Sequence, residues 1–109
     1  MNYQSKLQEP MIDDLFQAIL SLRDQEESYR FFEDLCTVGE LKAMAQRWRV
    51  VKMLMEEHTY SDIIAETGVS TATISRVKKC LHYGADGYRQ VVERYRKKDP
   101  EGAQRSKRA

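Results

Sequence analysis

The residues best equipped for chemistry cluster in one stretch: Ser70, Thr71, Ala72, Thr73, Ser75, Arg76 and Lys79. They offer hydroxyls, a methyl and two cations, and no nucleophile–base–acid set can be assembled from them. At 100° per residue on a helix, Ala72, Ser75, Arg76 and Lys79 fall opposite Ile74, Val77 and Leu81, with Thr71 and Thr73 flanking. Small and hydroxyl-bearing residues near a helix start let it approach base edges and phosphates closely. Arg76 can pair bidentately with guanine or clamp a phosphate, Lys79 can hold a phosphate, and the helix N-terminus itself attracts one. This is the chemistry of reading a duplex groove, and no enzymatic activity is expected.

Such a helix must be held at a fixed angle. Ile74, Val77 and Leu81 recur at i, i+3 and i+7 and anchor it inward. Ser61 is expected to cap a short preceding helix holding Ile63, Ile64 and Ala65. Gly68 stands where the chain must turn sharply, Val69 can plug the angle between the helices, and Ser70 starts the second one. Helix, glycine turn and helix over 61–81 make a helix-turn-helix. Upstream, Glu9-Pro10 opens a first helix whose Met11, Ile12, Leu15, Phe16, Ile19, Leu20 and Leu22 form an apolar stripe. Ser28 is expected to cap a second helix with Tyr29, Phe31, Phe32, Leu35 and Cys36. Thr37 and Glu40 fit a capping box for a third, with Leu41, Met44, Ala45, Trp48, Val51 and Leu54 or Met55 inward, ending around Glu57-His58. Asp86 can cap a last helix carrying Tyr88, Val91, Val92 and Tyr95.

The whole chain of 109 residues is enough for one domain and is rich in helix formers, with only 2 Pro and 5 Gly. An all-α fold follows. No run is apolar enough for a membrane span, no secretory signal is readable at the N-terminus, and Cys36 and Cys80 lack CxxC pairing, so a cytoplasmic protein with reduced thiols is expected. A net charge of +1 conceals an asymmetry: residues 1–60 carry −4 and residues 61–109 carry +5. A basic half suited to a polyanion follows an acidic half suited to assembly. The N-terminal stripe, Phe31, Phe32 and Trp48 exceed what a few helices bury among themselves, so a homodimer is expected.

The stretches Leu41–Val51 (LKAMAQRWRVV) and Gly68–Arg76, centred on Ala72-Thr73-Ile74-Ser75-Arg76, resemble the Trp repressor superfamily. The likeness is strongest to its branch of Trp-repressor-related proteins in Gram-positive bacteria and covers roughly Met11 to Tyr95. It implies a Trp-repressor-like helical bundle, an intertwined homodimer, and a recognition helix in the major groove; that repressor is itself a standard example of this docking. It also implies a candidate ligand site at Thr37, Arg47 and Arg76, since two arginines sandwich the indole in the tryptophan-binding repressor. Val77 stands where that protein has Gly, and Cys80 where it has Ser. The valine methyls would fill indole space, so tryptophan is not expected as the effector, although another small molecule remains open.

The expected organisation is a helix-turn-helix domain over 1–96 and a basic tail over 97–109. The expected function is a sequence-specific double-stranded DNA-binding regulator, a repressor, acting as a homodimer. Two other classes compete: a helix-turn-helix adaptor gripping an acidic protein, and a transposase fragment, against which the missing acidic active-site pattern argues. His58 and His82 stand alone as ligand types, so neither metal nor cofactor is expected.

Overall fold

The computed structural model describes residues 3–98. Six helices follow one another, with no strand among the described residues: α1 (Pro10–Leu20), α2 (Gln25–Leu35), α3 (Val38–Met55), α4 (Tyr60–Thr67), α5 (Thr71–Tyr83) and α6 (Gly87–Lys98). The all-α expectation holds. None of these helices is long and apolar enough to cross a membrane. The chain divides into two compact units, Met1–Leu41 and Lys42–Ala109. Most of the expected 97–109 tail, from residue 99 onward, lies outside the described residues.

The first unit starts as its sequence suggests. Pro10 opens α1, where its missing N–H costs nothing. The cap of α2 is not Ser28 but Asp24, whose carboxylate accepts from the Glu27 amide at 2.9 Å while Glu27 accepts from the Arg23 amide at 2.9 Å. Ser28 lies inside the helix and donates its hydroxyl back to the Asp24 carbonyl at 3.1 Å. An acidic residue with an acidic partner three positions on captures two free amides, which a serine further along does not do. Neither α1 nor α2 buries a single residue: Met11 is 78% exposed, Phe16 54% and Leu20 76%.

Helix α3 begins with the expected box, Glu40 N to Thr37 Oγ1 at 3.0 Å and Thr37 N to Glu40 Oε1 at 2.8 Å. It ends in a Schellman turn, with His58 N bonded to the Met53 carbonyl and Glu57 N to the Leu54 carbonyl, both at 3.0 Å. The left-handed residue of that turn is Glu57, at φ 65°, where glycine is the usual occupant. Replacing Glu57 by Gly should relieve roughly 1–2 kcal/mol of backbone strain, offset in part by unfolded-chain entropy. The expected net gain is about 0.5–1 kcal/mol, seen as a rise in Tm of roughly 2–6 °C.

The second unit holds the core: Val50, Val51, Met53, Ile63, Ile74, Val77, Leu81 and Val92. Val69, Tyr60, Tyr88, Trp48, Leu54 and Met55 pack against it from the edges. The inward face of α3 therefore differs from the expected stripe: Val50 and Met53 join Val51, whereas Met44 and Ala45 are exposed. Helix α6 contributes Val92, and Trp48 meets Tyr95 edge-on at 6.4 Å with Lys52 Nζ 4.8 Å from the Tyr95 ring. Asp86 precedes α6 in a left-handed conformation, φ 70°, and its carbonyl accepts from Gln90 N at 3.2 Å.

Candidate nucleic-acid interface

The turn between α4 and α5 is built locally. Helix α4 is capped by Thr59 rather than Ser61: Thr59 Oγ1 accepts from Asp62 N at 3.1 Å, and Asp62 reaches back to Thr59 N at 3.4 Å. At its other end Gly68 adopts φ 74°, and its amide bonds to the Ile64 carbonyl at 2.9 Å. A Cβ here would meet no neighbour, but the left-handed backbone would strain it, so glycine is the favoured occupant of the turn. Thr67 stitches the corner by donating to the Ile63 carbonyl at 2.7 Å and accepting from Val69 N at 3.3 Å. Ser70 then caps α5, its hydroxyl accepting from Thr73 N at 3.2 Å.

The inward face of α5 buries Ile74, Val77 and Leu81 at the spacing read from sequence. With those three fixed, Thr71, Ala72, Ser75, Arg76 and Lys79 are exposed along the outside of the same helix. Ser70 is exposed at the cap, and Thr73 is half-buried on the flank. Six of the seven singled-out residues thus lie on α5 and the seventh, Ser70, at its cap, with no acidic residue in the first turn.

Two long-range ties, invisible to local pattern, hold this motif to α3. Gln46 Nε2 donates to the Thr67 carbonyl at 3.1 Å, at the turn itself. Arg49 grips Glu66 with both ends of its fork, Nη2 to Oε1 at 2.8 Å and Nε to Oε2 at 3.1 Å. These bonds hold the Glu66 carboxyl below its ordinary 4.5 and raise the Arg49 guanidinium. Glu40 is likewise lowered, by its bond from the Thr37 amide. Because the Glu66 carboxyl titrates lower when folded, its contribution is fully present above its ordinary value and fades as pH falls through the folded one. Glu66→Gln should therefore cost about 0.5–1 kcal/mol at neutral pH, the upper range for an exposed bidentate pair. In thermal melts the gap between the variant and the parent chain should close between roughly pH 5 and pH 3.

On one flank of α5 lies a cleft of about 440 Å³ that brings Arg47 and Arg76 together, with Val77, Cys80 and Tyr88 in its lining. Neither arginine has a carboxylate within ion-pair distance among the described residues, in contrast to Arg49 two positions along α3. Val77 is only 2% exposed, and belongs to the core as well as to the cleft wall. The Thr37 hydroxyl is engaged in capping α3. Tyr88 was not foreseen here, because nothing in its helical spacing distinguishes a core edge from a cleft wall. His58, read as solitary, has its Nε2 3.7 Å from Glu56 and its Nδ1 3.8 Å from Asp62.

Comparison with known proteins gives a consistent picture. The family profile described as Trp repressor protein matches residues 11–96. The uncharacterized protein YerC of Bacillus subtilis is 52% identical over 98 residues, 90% of this chain and 94% of that protein. A Trp operon repressor homolog of Chlamydia trachomatis serovar L2 is 29% identical over 84 residues, 72% of this chain and 89% of that one. Among solved structures, a TrpR-like protein from Eubacterium eligens superposes with a TM-score of 0.80 at 56% identity, over 83% of this chain and 93% of the other.

Proposed function

This chain belongs to the Trp repressor family, and from that membership and the geometry of α5 we propose that it is a sequence-specific double-stranded DNA-binding regulator, a repressor, acting as a homodimer in the cytoplasm. The observation that carries the reading is the division of α5: Ile74, Val77 and Leu81 are buried, while Ser75, Arg76 and Lys79 are exposed. A helix fixed on one side and polar, small and cationic on the other fits a major groove about 12 Å wide. Ser70, Thr71, Ala72, Thr73 and Ser75 supply short contacts, Arg76 and Lys79 the phosphate contacts. Exposed serine and threonine can read bases through water, as the handling of operator DNA by the tryptophan-binding repressor illustrates. The domain is taken as 1–96, with 97–109 adding sequence-independent phosphate attraction.

Selection of bound sequences from a random duplex pool, with and without a mixture of amino acids, tests this. The expected result is enrichment of palindromic half-sites about one helical turn apart. Absence of duplex binding even at low salt would instead favour the protein–protein adaptor.

The ligand reading of Thr37, Arg47 and Arg76 is narrower. Arg47 and Arg76 share a cleft, yet Val77 fills part of its wall and is held in place by the core. An indole sandwiched between the two arginines would meet the Val77 methyls, and pushing so well packed a side chain aside costs about 1–3 kcal/mol. Saturating L-tryptophan should therefore leave both the melting temperature and the duplex affinity unchanged; a clear rise in either overturns this.

A further inference from the structure

Helix α4 is only 8 residues long, and Ile63 is its one buried residue. Tyr60, at its start, packs against the edge of the core. Both anchors sit in its first half, while Ile64, Ala65 and Glu66 in the second half are exposed. Apolar packing therefore fixes where α4 begins more firmly than where it ends. The end matters more for reading a duplex, because it leads through Gly68 into the cap and first residues of α5, Ser70, Thr71, Ala72 and Thr73. Polar ties hold that end instead. They come from α3, an 18-residue helix anchored in the core by Val50, Val51 and Met53. One turn apart on it, Gln46 donates to the Thr67 carbonyl and Arg49 forks onto Glu66, so two neighbouring residues of α4 are gripped. The Thr67 hydroxyl carries the hold onward, bonded to both the Ile63 carbonyl and the Val69 amide.

A helix reads base edges only while its direction is held within about 10–20°, and groups that make no contact themselves can supply that hold. We propose that Gln46 and Arg49, acting through Thr67 and Glu66, are positioning residues for duplex recognition: they aim the amino end of α5 and touch no DNA. This rests on the DNA-binding reading above and adds residues of α3 and α4 to it. It also gives Glu66 a role opposite to the one its charge suggests. A carboxylate on a motif that faces phosphates repels them, whereas a carboxylate that aims the motif raises affinity for the right sequence.

The test measures the affinity of the full chain for a duplex selected from the random pool and for a scrambled duplex of equal length, over a range of salt and well below the melting temperature. Glu66→Gln should weaken the selected duplex by about tenfold, roughly threefold for each protomer of the proposed dimer, although it removes a negative charge. The scrambled duplex should bind it as well as before or better, since that binding follows charge alone. Arg49→Gln should weaken the selected duplex to a similar extent and leave the slope of log affinity against log salt unchanged; an arginine on a phosphate would take about 0.9 from the slope for each one lost. Arg49→Gln with Glu66→Gln keeps the net charge of the parent chain and should lose no more than either single variant, because both remove the same tie. Gln46→Met, similar in shape but without the donor, should shift the selected duplex in the same direction. Unchanged or tighter binding of the selected duplex by Glu66→Gln, equal losses on both duplexes, or a flattened slope in Arg49→Gln overturns the proposal. A parent chain that binds neither duplex overturns the DNA-binding reading itself, and this inference with it, a result distinct from all three.

Discussion

Arg76→Ala together with Lys79→Ala should lower the affinity for duplex DNA by two orders of magnitude or more at low salt, and flatten its dependence on salt. In a dimer the double substitution removes four cations from the interface. Each neutralised phosphate contributes about 0.9 to the slope of log affinity against log salt, so the slope should shrink by roughly 3–4. Both residues are exposed and neither is ion-paired among the described residues, so the folded state should lose no more than about 0.5 kcal/mol. The effect is then on binding and not on folding. Arg76→Lys sharpens the outcome. If Arg76 holds a phosphate, as proposed, lysine keeps the slope and most of the affinity. A bidentate contact to guanine would instead lose its discrimination at that base, worth about 1–3 kcal/mol. Unchanged affinity in the double variant would remove α5 from the interface and return the adaptor reading.

The parts of this site that could be read from sequence are those set by neighbours a few residues apart. Ile74, Val77 and Leu81 declare the inward face of α5, and their burial settles which residues are left outside. The Thr37–Glu40 box and the Gly68 turn are likewise decided within four residues. Two caps were misplaced for a local reason: Ser28 and Ser61 are able N-caps, but Asp24 and Thr59 lie just upstream with reciprocal carboxylate partners in Glu27 and Asp62. The serine offers one bond where the upstream residue and its partner offer two. What no periodicity could reveal is the bracing from α3. Gln46 meets Thr67 across 21 residues and Arg49 meets Glu66 across 17, and each partner alone reads as one more polar side chain facing water. Helix α3 itself defeats a single-stripe wheel, because Val50, Val51 and Met53 cannot all share one narrow face with Met44 and Ala45. Its apolar residues surround the helix, and sequence alone does not say which side meets this chain's own core.

The exposed remainder leads to the second large effect. Phe16→Glu with Leu20→Glu should convert the proposed dimer, of twice 12.8 kDa, into monomers that have lost part of their helical signal. In a lone chain these residues are 54% and 76% exposed, and replacing exposed residues changes stability by no more than about 0.5 kcal/mol each. In a dimer that covers them, each forfeits the roughly 1.5–3 kcal/mol of burying a large apolar side chain and adds a charge in an apolar seam. The two cases differ by several kcal/mol, far outside error. Helices α1 and α2 are each 11 residues long and bury nothing of their own, and isolated helices shorter than about 12–15 residues are marginal in water. Their helical state therefore needs a covering surface, and a second copy with the same acidic, apolar N-terminal half is the partner that family membership favours. Sedimentation should show the parent chain dimeric at micromolar concentration, with a melting temperature that rises with concentration. The variant should show neither, and its duplex affinity should drop because two linked half-sites become two separate ones. A parent chain that sediments as a monomer, or a variant with unchanged mass and melting temperature, would leave α1 and α2 to a different partner.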